Sequence, residues 1–459
     1  MIRKINVHVQ PQTRMIMIGD IHGGLDLFKE LLDKIHFNDH DELFLLGDYT
    51  ERGPKNLEMI RYLMAFSQKK NVHLIMGNND TVFYPVLIKQ EGIKAYTLSH
   101  PFSLYREMFK ESHVSFEEMN DDEEATWLYT HYKAEFDFLH NLPHIIETDY
   151  SFFIHGGCDD IDHYETIESR YVMKNDGFLN KGIKYKKRLF CGHYPTKLYR
   201  SFKESSNPIY DHSLNIVCCD GGYACSYAGQ INAVILYDER DNHINYDYVD
   251  DEPYLISHVD HTVSYQPIHT LVYDRDAFEI IDKGLYKTIA KREDNGDIVT
   301  IPTSLLYKKN NKNYCFDTTN EELSFKKGDK LYITHSVGDS FIMKCEGMSG
   351  WVKKSDLGIN FPFVRKGSMQ DAYECNAMRG SLFKEINIPD ADIFYEDGLK
   401  GRLFILEGEE GMLGSCSIEE DTLKVTRLFL VKEYDTRIYR ELLSQKALEL
   451  YRSKCWEVR

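Results

Sequence analysis

The 10 cysteines of this 459-residue chain include no pair spaced C-x-x-C. That absence removes a thiolate zinc ribbon and a dithiol redox motif, and thiols scattered over so long a chain read as reduced, mostly buried small apolar residues. No apolar run approaches the roughly 20 residues that cross a bilayer. The start, MIRKINVHVQPQTRMIMIGD, has neither the apolar core nor the cleavage site of a secretory leader, so a cytoplasmic location is expected. With 12 prolines and 29 glycines the chain is neither collagenous nor of low complexity. Positive charge is scarce too: 55 Lys and Arg against 73 Asp and Glu leave −18, which argues against bulk nucleic-acid binding. The basic run KYKKR at 184–188 reads as a solvated helix face and DDEE at 121–124 as a solvated helix start, without the spacing of a calcium loop. There is no P-loop, GxGxxG or GxSxG segment.

What is present is ample apolar material, 42% hydrophobic and 13% aromatic, enough for about three domains at roughly 150 residues each. In the first 80 residues two periods alternate. Met15 to Gly19, Leu43 to Leu46 and Val72 to Met76 are short apolar strand runs; Leu25, Phe28, Leu31, Leu32 and Ile35, then Leu57, Ile60, Leu63 and Met64, fall on helical faces. Strand–helix–strand–helix–strand predicts a mainly parallel sheet covered by helices. Strands return at 151–154, 188–191, 214–219 and 231–237, and the stretch 92–142 between reads as a helical cap.

Five strand ends finish alike, in glycine with Asp, Asn or His: Asp20 and His22 in GDIHGG, Asp48 in GDYTERG, Asn78 in GNND, His155 in FIHGG and His193 in CGHYP. Ligands gather outside the carboxyl ends of parallel strands, so these six side chains are predicted to converge. Two carboxylates, three imidazoles and an amide oxygen without a thiolate suit Mn²⁺, Fe or Zn²⁺. Six donors exceed the need of one ion, whereas two ions about 3.5–4 Å apart can clamp a phosphoryl group.

This set, with 28 residues from Asp20 to Asp48 and 30 from there to Asn78, resembles the calcineurin-like metallophosphoesterases. More narrowly it is similar to the phosphoprotein phosphatase superfamily, which includes bacterial serine/threonine phosphatases and diadenosine-tetraphosphate hydrolases. The resemblance spans about residues 12 to 240. It implies an α/β fold of the α+β sandwich kind and two divalent ions, with Mn²⁺ favoured and Fe or Zn²⁺ as alternatives. Asp20, His22 and Asp48 would hold the first ion; Asp48 would bridge to a second completed by Asn78, His155 and His193. Arg52 and Arg170 match the arginines that grip the phosphate, a task suited to a planar fork, although Ser169 stands where a tryptophan often precedes the second one. The implied reaction is attack on a phosphate ester or anhydride by a metal-bridging hydroxide.

One departure bears on that chemistry. The family's third motif reads GNHE or GNHD, its histidine being the general acid, and here the position is Asn79. An amide cannot deliver a proton, and Glu51, which matches the residue that orients that histidine, loses its partner. Three readings stay open: good leaving groups such as aryl phosphates or anhydrides, a proton from Glu51, Asp80 or His131, or a weakened phosphatase kept as a phosphate-binding or regulatory protein.

Residues 313–357 resemble an SH3-like barrel through ELSFKKGD and GMSGWV. The peptide-binding aromatic shelf is only half kept, so Trp351 is expected in a core or interface. Residues 362–459 are faintly similar to acetyltransferases of the GNAT type, but YDTRIY at 434–439 lacks the glycines that would cradle a pyrophosphate. The expected organisation is a catalytic domain at 1–250, a β-rich linker at 251–305, an SH3-like barrel at 306–359 and a degenerate α/β module at 360–459. The catalytic domain would act on a phosphoprotein or a small phosphate compound; the later modules are candidates for holding a protein partner.

Overall fold

The computed structural model describes residues 1–200, 204–264, 270–368, 371, 372, 375, 397, 398 and 400–453. The chain divides into two compact units, one of Met1–Tyr199 with Ser206–Asp250, the other of Arg200–Ser205 with Asp251–Arg459.

In the first unit the strands and helices run β1 (Lys4–Asn6), β2 (Met15–Ile18), α1 (Leu25–Lys34), β3 (Glu42–Leu45), α2 (Asn56–Phe66), β4 (Val72–Leu74), α3 (Phe83–Leu87), α4 (Ile93–Ser99), α5 (Leu104–Glu111), α6 (Asp121–His131), α7 (Lys133–Asn141), β5 (Ile145–Glu147), β6 (Ser151–Ile154), α8 (Ser169–Met173), β7 (Arg188–Cys191), β8 (Ile209–Asp211), β9 (Ile216–Cys218), β10 (Ile231–Leu236) and β11 (Asn245–Val249). The single parallel sheet expected from the first 80 residues is half of the answer. Strands β2, β3 and β4 are parallel, but β10 and β11 add antiparallel to them, giving the order β11-β10-β2-β3-β4. A second mixed sheet, β1-β5-β6-β7-β9-β8, holds β6, β7 and β9 parallel.

The reason lies in the strand faces. Successive side chains of a strand point oppositely. Met15 and Met17 of β2, with Phe44, Leu46, Phe153, Phe190 and Val217, fill the layer between the two sheets, while Ile16 and Ile18 turn to the helical side with Phe28 and Leu31 of α1. Phe44 and Phe153 stack face to face across that layer with ring centroids 3.9 Å apart. Each such buried side chain contributes about 1.5–3 kcal/mol. Both faces being covered, the strands read as unbroken apolar runs.

The helix-rich stretch expected over 92–142 is present as α4 to α7. The N-terminus of α2 is held by Glu107 of α5, which accepts from the backbone of Asn56 and Leu57 at 3.0 and 2.8 Å. Residues 121–124 begin α6 behind a capping box of Asn120 and Glu123. KYKKR at 184–188 is not a helix face: it leads into β7, with Lys187 bonded to Glu147.

In the second unit the strands are β12 (Tyr254–Ile256), β13 (Thr270–Leu271), β14 (Phe278–Lys283), β15 (Lys287–Arg292), β16 (Ile298–Pro302), β17 (Leu306–Lys309), β18 (Lys312–Cys315), β19 (Thr318–Thr319), β20 (Lys330–Val337), β21 (Ser340–Cys345), β22 (Met348–Lys353), β23 (Phe363–Lys366), β24 (Leu403–Gly408), β25 (Gly411–Glu419) and β26 (Lys424–Leu430), followed by α9 (Arg437–Ser453). The SH3-like barrel expected over 306–359 is not found as a closed barrel among the described residues. Its first two strands belong to the sheet β16-β15-β14-β18-β17, its last three to β12-β20-β21-β22. The hairpin of β17 and β18 buries Cys315 and packs half-buried Leu306 against a cluster that includes Phe278 and Ala290, so apolar contacts draw it to the preceding strands. Trp351 is half-buried and donates through Nε1 to Thr319 O at 2.8 Å. Beyond 360, β23 to β26 form an antiparallel meander on which α9 packs Leu443 and Ala447. Helical spacing of the residues at 369–383 predicts a helix there, a stretch that lies almost wholly outside the described residues.

Candidate metal centre

Strands from both sheets deliver the predicted side chains to one place. Asp20, His22 and Asp48 form one donor group and Asp48, His155 and His193 another, the ligand atoms of each within 4.8 Å of one another. Asp48 belongs to both. Nε2 of His22 lies 3.9 Å from Oδ2 of Asp20 and 3.9 Å from Oδ2 of Asp48, and Nε2 of His155 lies 3.4 Å from Oδ1 of Asp48 and 3.2 Å from Oδ1 of Asn78. Such crowding demands bare backbone: a Cβ on Gly77 would sit 2.2 Å from Asp48 Oδ1, and one on Gly192 2.3 Å from Asp20 Oδ1. His22, Asp48 and His193 themselves adopt left-handed φ of 45°, 54° and 69°, an uncommon state for side-chain-bearing residues, of the kind that collects at functional sites.

Each imidazole has one nitrogen committed to the protein, which leaves the other for a ligand. Nδ1 of His22 donates to Thr50 O at 3.1 Å and Nδ1 of His155 to Leu46 O at 2.7 Å, while Nε2 of His193 donates to Asp176 at 2.7 Å. The remaining lone pair of His155 therefore faces two oxygen acceptors. Only a proton or a metal ion reconciles three acceptors at that spacing.

The electrostatics say the same. Burial alone lowers the His155 pKa, but Asp48 and Asp20 overcome it and push the value up to about 10. His22, dominated by desolvation, falls to about 4 and is neutral at pH 7, ready to coordinate. Burial first, then Asp220, raises Asp20; Asp220 itself is raised to about 6 and Asp80 to about 7, both chiefly by desolvation. Burial also works to raise Asp48, yet the charge and hydrogen bond of His155 bring it below the ordinary carboxylate range. A cavity with this many carboxylates in low dielectric asks for positive charge, and the oxygen–nitrogen donor set fits divalent ions.

A model of the calcineurin-like phosphoesterase family matches residues 13–221, a span that holds every residue of both donor groups. That segment is a calcineurin-like phosphoesterase domain. A symmetrical bis(5'-nucleosyl)-tetraphosphatase from Pseudomonas syringae pv. syringae (strain B728a) is 38% identical over 78 residues, 17% of this chain and 26% of that protein. One of the same description from Buchnera aphidicola subsp. Schizaphis graminum (strain Sg) is 48% identical over 64 residues, 14% and 23% of the two chains. The chain thus spans about a quarter of the length of these curated relatives. Among solved structures, a protein serine/threonine phosphatase from Saccharomyces cerevisiae aligns over 58% of this chain and 86% of its own at 12% identity, with a TM-score of 0.33.

Within the phosphoesterase domain the other expected residues fare differently. Arg52 is exposed, and its positive charge is felt at His22, Asp220 and Glu51, where it works against the upward shift that burial gives the two carboxyls. Asn79 clamps the shared carboxylate, its backbone N–H on Oδ1 of Asp48 at 2.8 Å and its Nδ2 on Oδ2 at 2.6 Å. Glu51 turns into the cap, bonded to Tyr96 OH and to the backbone N–H of Leu104. Desolvation raises its pKa to about 7. The contacts described for Arg170 are an exposed pair with Glu168 and the ring of Tyr171. His131 is exposed on α6, bonded to Trp127 O and stacked on that indole, not drawn to the metal centre.

Three participants escaped the motif reading, and a fourth, Asp80, was weighed there only as a proton source. Asp80 accepts from the backbone N–H groups of Asp48, Tyr49 and Gly77 at 2.8–2.9 Å and so joins the second and third motifs. Asp220, at the end of β9, accepts from Gly222 N at 2.7 Å. Asp176 orients His193, and Cys225 reaches His22. The run VCCDGG at 217–222, at the end of β9, carried a signal for Asp220 of the same kind as the other strand ends; Asp176 and Cys225 sit in loops with none.

Proposed function

We propose that the domain is a metal-dependent phosphohydrolase that cleaves phosphate esters or anhydrides directly, without a covalent enzyme intermediate. The observation that carries this is the pair of donor groups sharing Asp48, with all three imidazoles pre-oriented. Divalent ions held there would acidify a water and polarise the phosphoryl oxygens.

The chain's own groups do the rest. Asp20, His22 and Asp48 would hold one ion; Asp48, Asn78, His155 and His193 would hold the other. Leu46 O, Thr50 O and Asp176 keep the rings aimed, and Asn79 fixes both oxygens of Asp48. Arg52 is proposed to grip the equatorial oxygens of an arriving phosphate with its fork, and Arg170 to join it when substrate binds.

With Asn79 spent on Asp48 and Glu51 spent on the cap, neither of these two residues is free to protonate a leaving oxygen. That favours leaving groups needing little protonation, and an anhydride such as a dinucleotide polyphosphate satisfies the condition; the relatives named as tetraphosphatases lend this reading support. A phosphoprotein is the second reading. Full-length protein with Mn²⁺ is expected to hydrolyse an anhydride and an activated aryl phosphate far faster than an alkyl phosphomonoester, and EDTA to abolish all three. Asp48→Asn retaining turnover would sink the shared-ligand mechanism. Comparable rates on all leaving groups would sink the preference.

A further inference from the structure

One contact at the metal centre is left unused by the mechanism. Cys225 lies in the loop that follows Asp220, and its Sγ is 3.0 Å from Nε2 of His22. That nitrogen carries the free lone pair, because Nδ1 is committed to Thr50 O. It also faces Asp20 and Asp48, each at 3.9 Å, on a side chain only 1% exposed. Loop drift does not explain the placement. Gly222 N is bonded to Asp220 at 2.7 Å, and the backbone N–H groups of Cys225 and Ser226 both donate to Gly222 O, at 3.1 and 3.0 Å. The turn is thus pinned to the end of β9. Of the nine cysteines among the described residues, eight are buried and Cys225 is exposed.

A lone pair accepts one partner. Without metal, Nε2 takes the thiol S–H. With an ion on Nε2 the thiol loses that acceptor and stands beside the ion. Two donors about 2.0 and 2.3 Å from one ion span some 3.0 Å when they subtend roughly a right angle, so the observed separation suits joint coordination.

We infer that Cys225 is a thiolate ligand of the ion held by Asp20, His22 and Asp48. The inference rests on the metal-dependent reading above and goes beyond it. On loading, the S–H bond breaks, its proton passes to solvent, and the sulfur electron pair forms the bond to the ion; nothing is oxidised or reduced. The two positions then differ in chemistry. The one with sulfur is drawn toward softer ions such as zinc or iron, while the position of Asn78, His155 and His193, with oxygen and nitrogen only, keeps the preference for manganese.

Cobalt(II) added to the full chain reads both claims. Visible d–d bands report an occupied oxygen–nitrogen site, and a near-ultraviolet sulfur-to-cobalt charge-transfer band reports the thiolate. The wild type is expected to show both. Cys225→Ser and Cys225→Ala are expected to keep the visible bands and lose the charge-transfer band, and cobalt is expected to protect Cys225 from N-ethylmaleimide. Visible bands without charge transfer, or a band that survives both substitutions, would overturn the thiolate while leaving the metal centre intact. No cobalt uptake would overturn both.

Discussion

Two buried charged clusters, one in each unit, show what distinguishes a site from a staple. In the second unit Arg365 is 1% exposed and forks onto Asp371 with two contacts of 2.7 Å while its Nε reaches Glu407 at 3.0 Å; Lys354 meets the other oxygen of Glu407 at 2.8 Å. Ser336 and the backbone of Ser368 fill remaining positions at 2.7 and 2.8 Å. Two cations cancel two anions in direct contact, and the cluster is closed. At the metal centre, by contrast, Asp20, Asp48, Asp80 and Asp220 are as deeply buried, yet the gaps between imidazoles and carboxylates are 3.4–4.0 Å, wider than the direct contacts of the closed cluster. Equal burial with unequal closure separates an interaction that holds the fold from one that waits for an ion.

The sharpest test of this contrast lies in the closed cluster. Arg365→Met leaves two buried carboxylates with one cation and is expected to cost about 3–5 kcal/mol of stability, read by denaturant unfolding of the full chain, with the same loss in EDTA and in Mn²⁺. A metal-dependent loss would break the comparison.

Glu51 is an intermediate case, a buried carboxyl compensated by a proton. Its ordinary pKa of 4.5 rises to about 7 in the fold, so the folded state binds that proton more tightly than the unfolded chain. The stability it contributes is complete below about 4.5 and is lost as pH rises through about 7. Relative to Glu51→Gln, the wild type is expected to lose on the order of 3 kcal/mol across that window. Parallel stability–pH curves would show that Glu51 is not the group being titrated.

The smallest effect belongs to Asp176, an exposed residue whose only described role is to hold Nε2 of His193. Asp176→Asn is expected to weaken metal binding by about 10–100-fold without lowering the stability of the metal-free protein. Unchanged affinity would mean that His193 keeps its aim unaided.

Much of this centre was legible in the residues, for a physical reason. A ligand at a strand end needs an apolar run to bury, a glycine where neighbouring loops touch, and a donor immediately after; all three fall within a few consecutive positions. Asp20, His22, Asp48, Asn78, His155 and His193 announce themselves that way, and so does Asp220. Asp176 and Cys225 do not, since their partners lie 17 and 203 residues away in the chain and no local pattern prepares the contact. The SH3-like reading of 306–359 is not shown as a closed barrel among the described residues, because its strands divide between two sheets, a pairing that no local pattern encodes.

The sequence alone therefore determined the donor types, their order and the strands that carry them, because strand periodicity and turn chemistry act over a few residues. Only the tertiary structure decided that two sheets bring those ends together, that Asn79 and Glu51 are already engaged, and that a thiol touches His22. Those outcomes depend on packing between segments far apart in the chain, where cores, caps and loops compete for the same contacts.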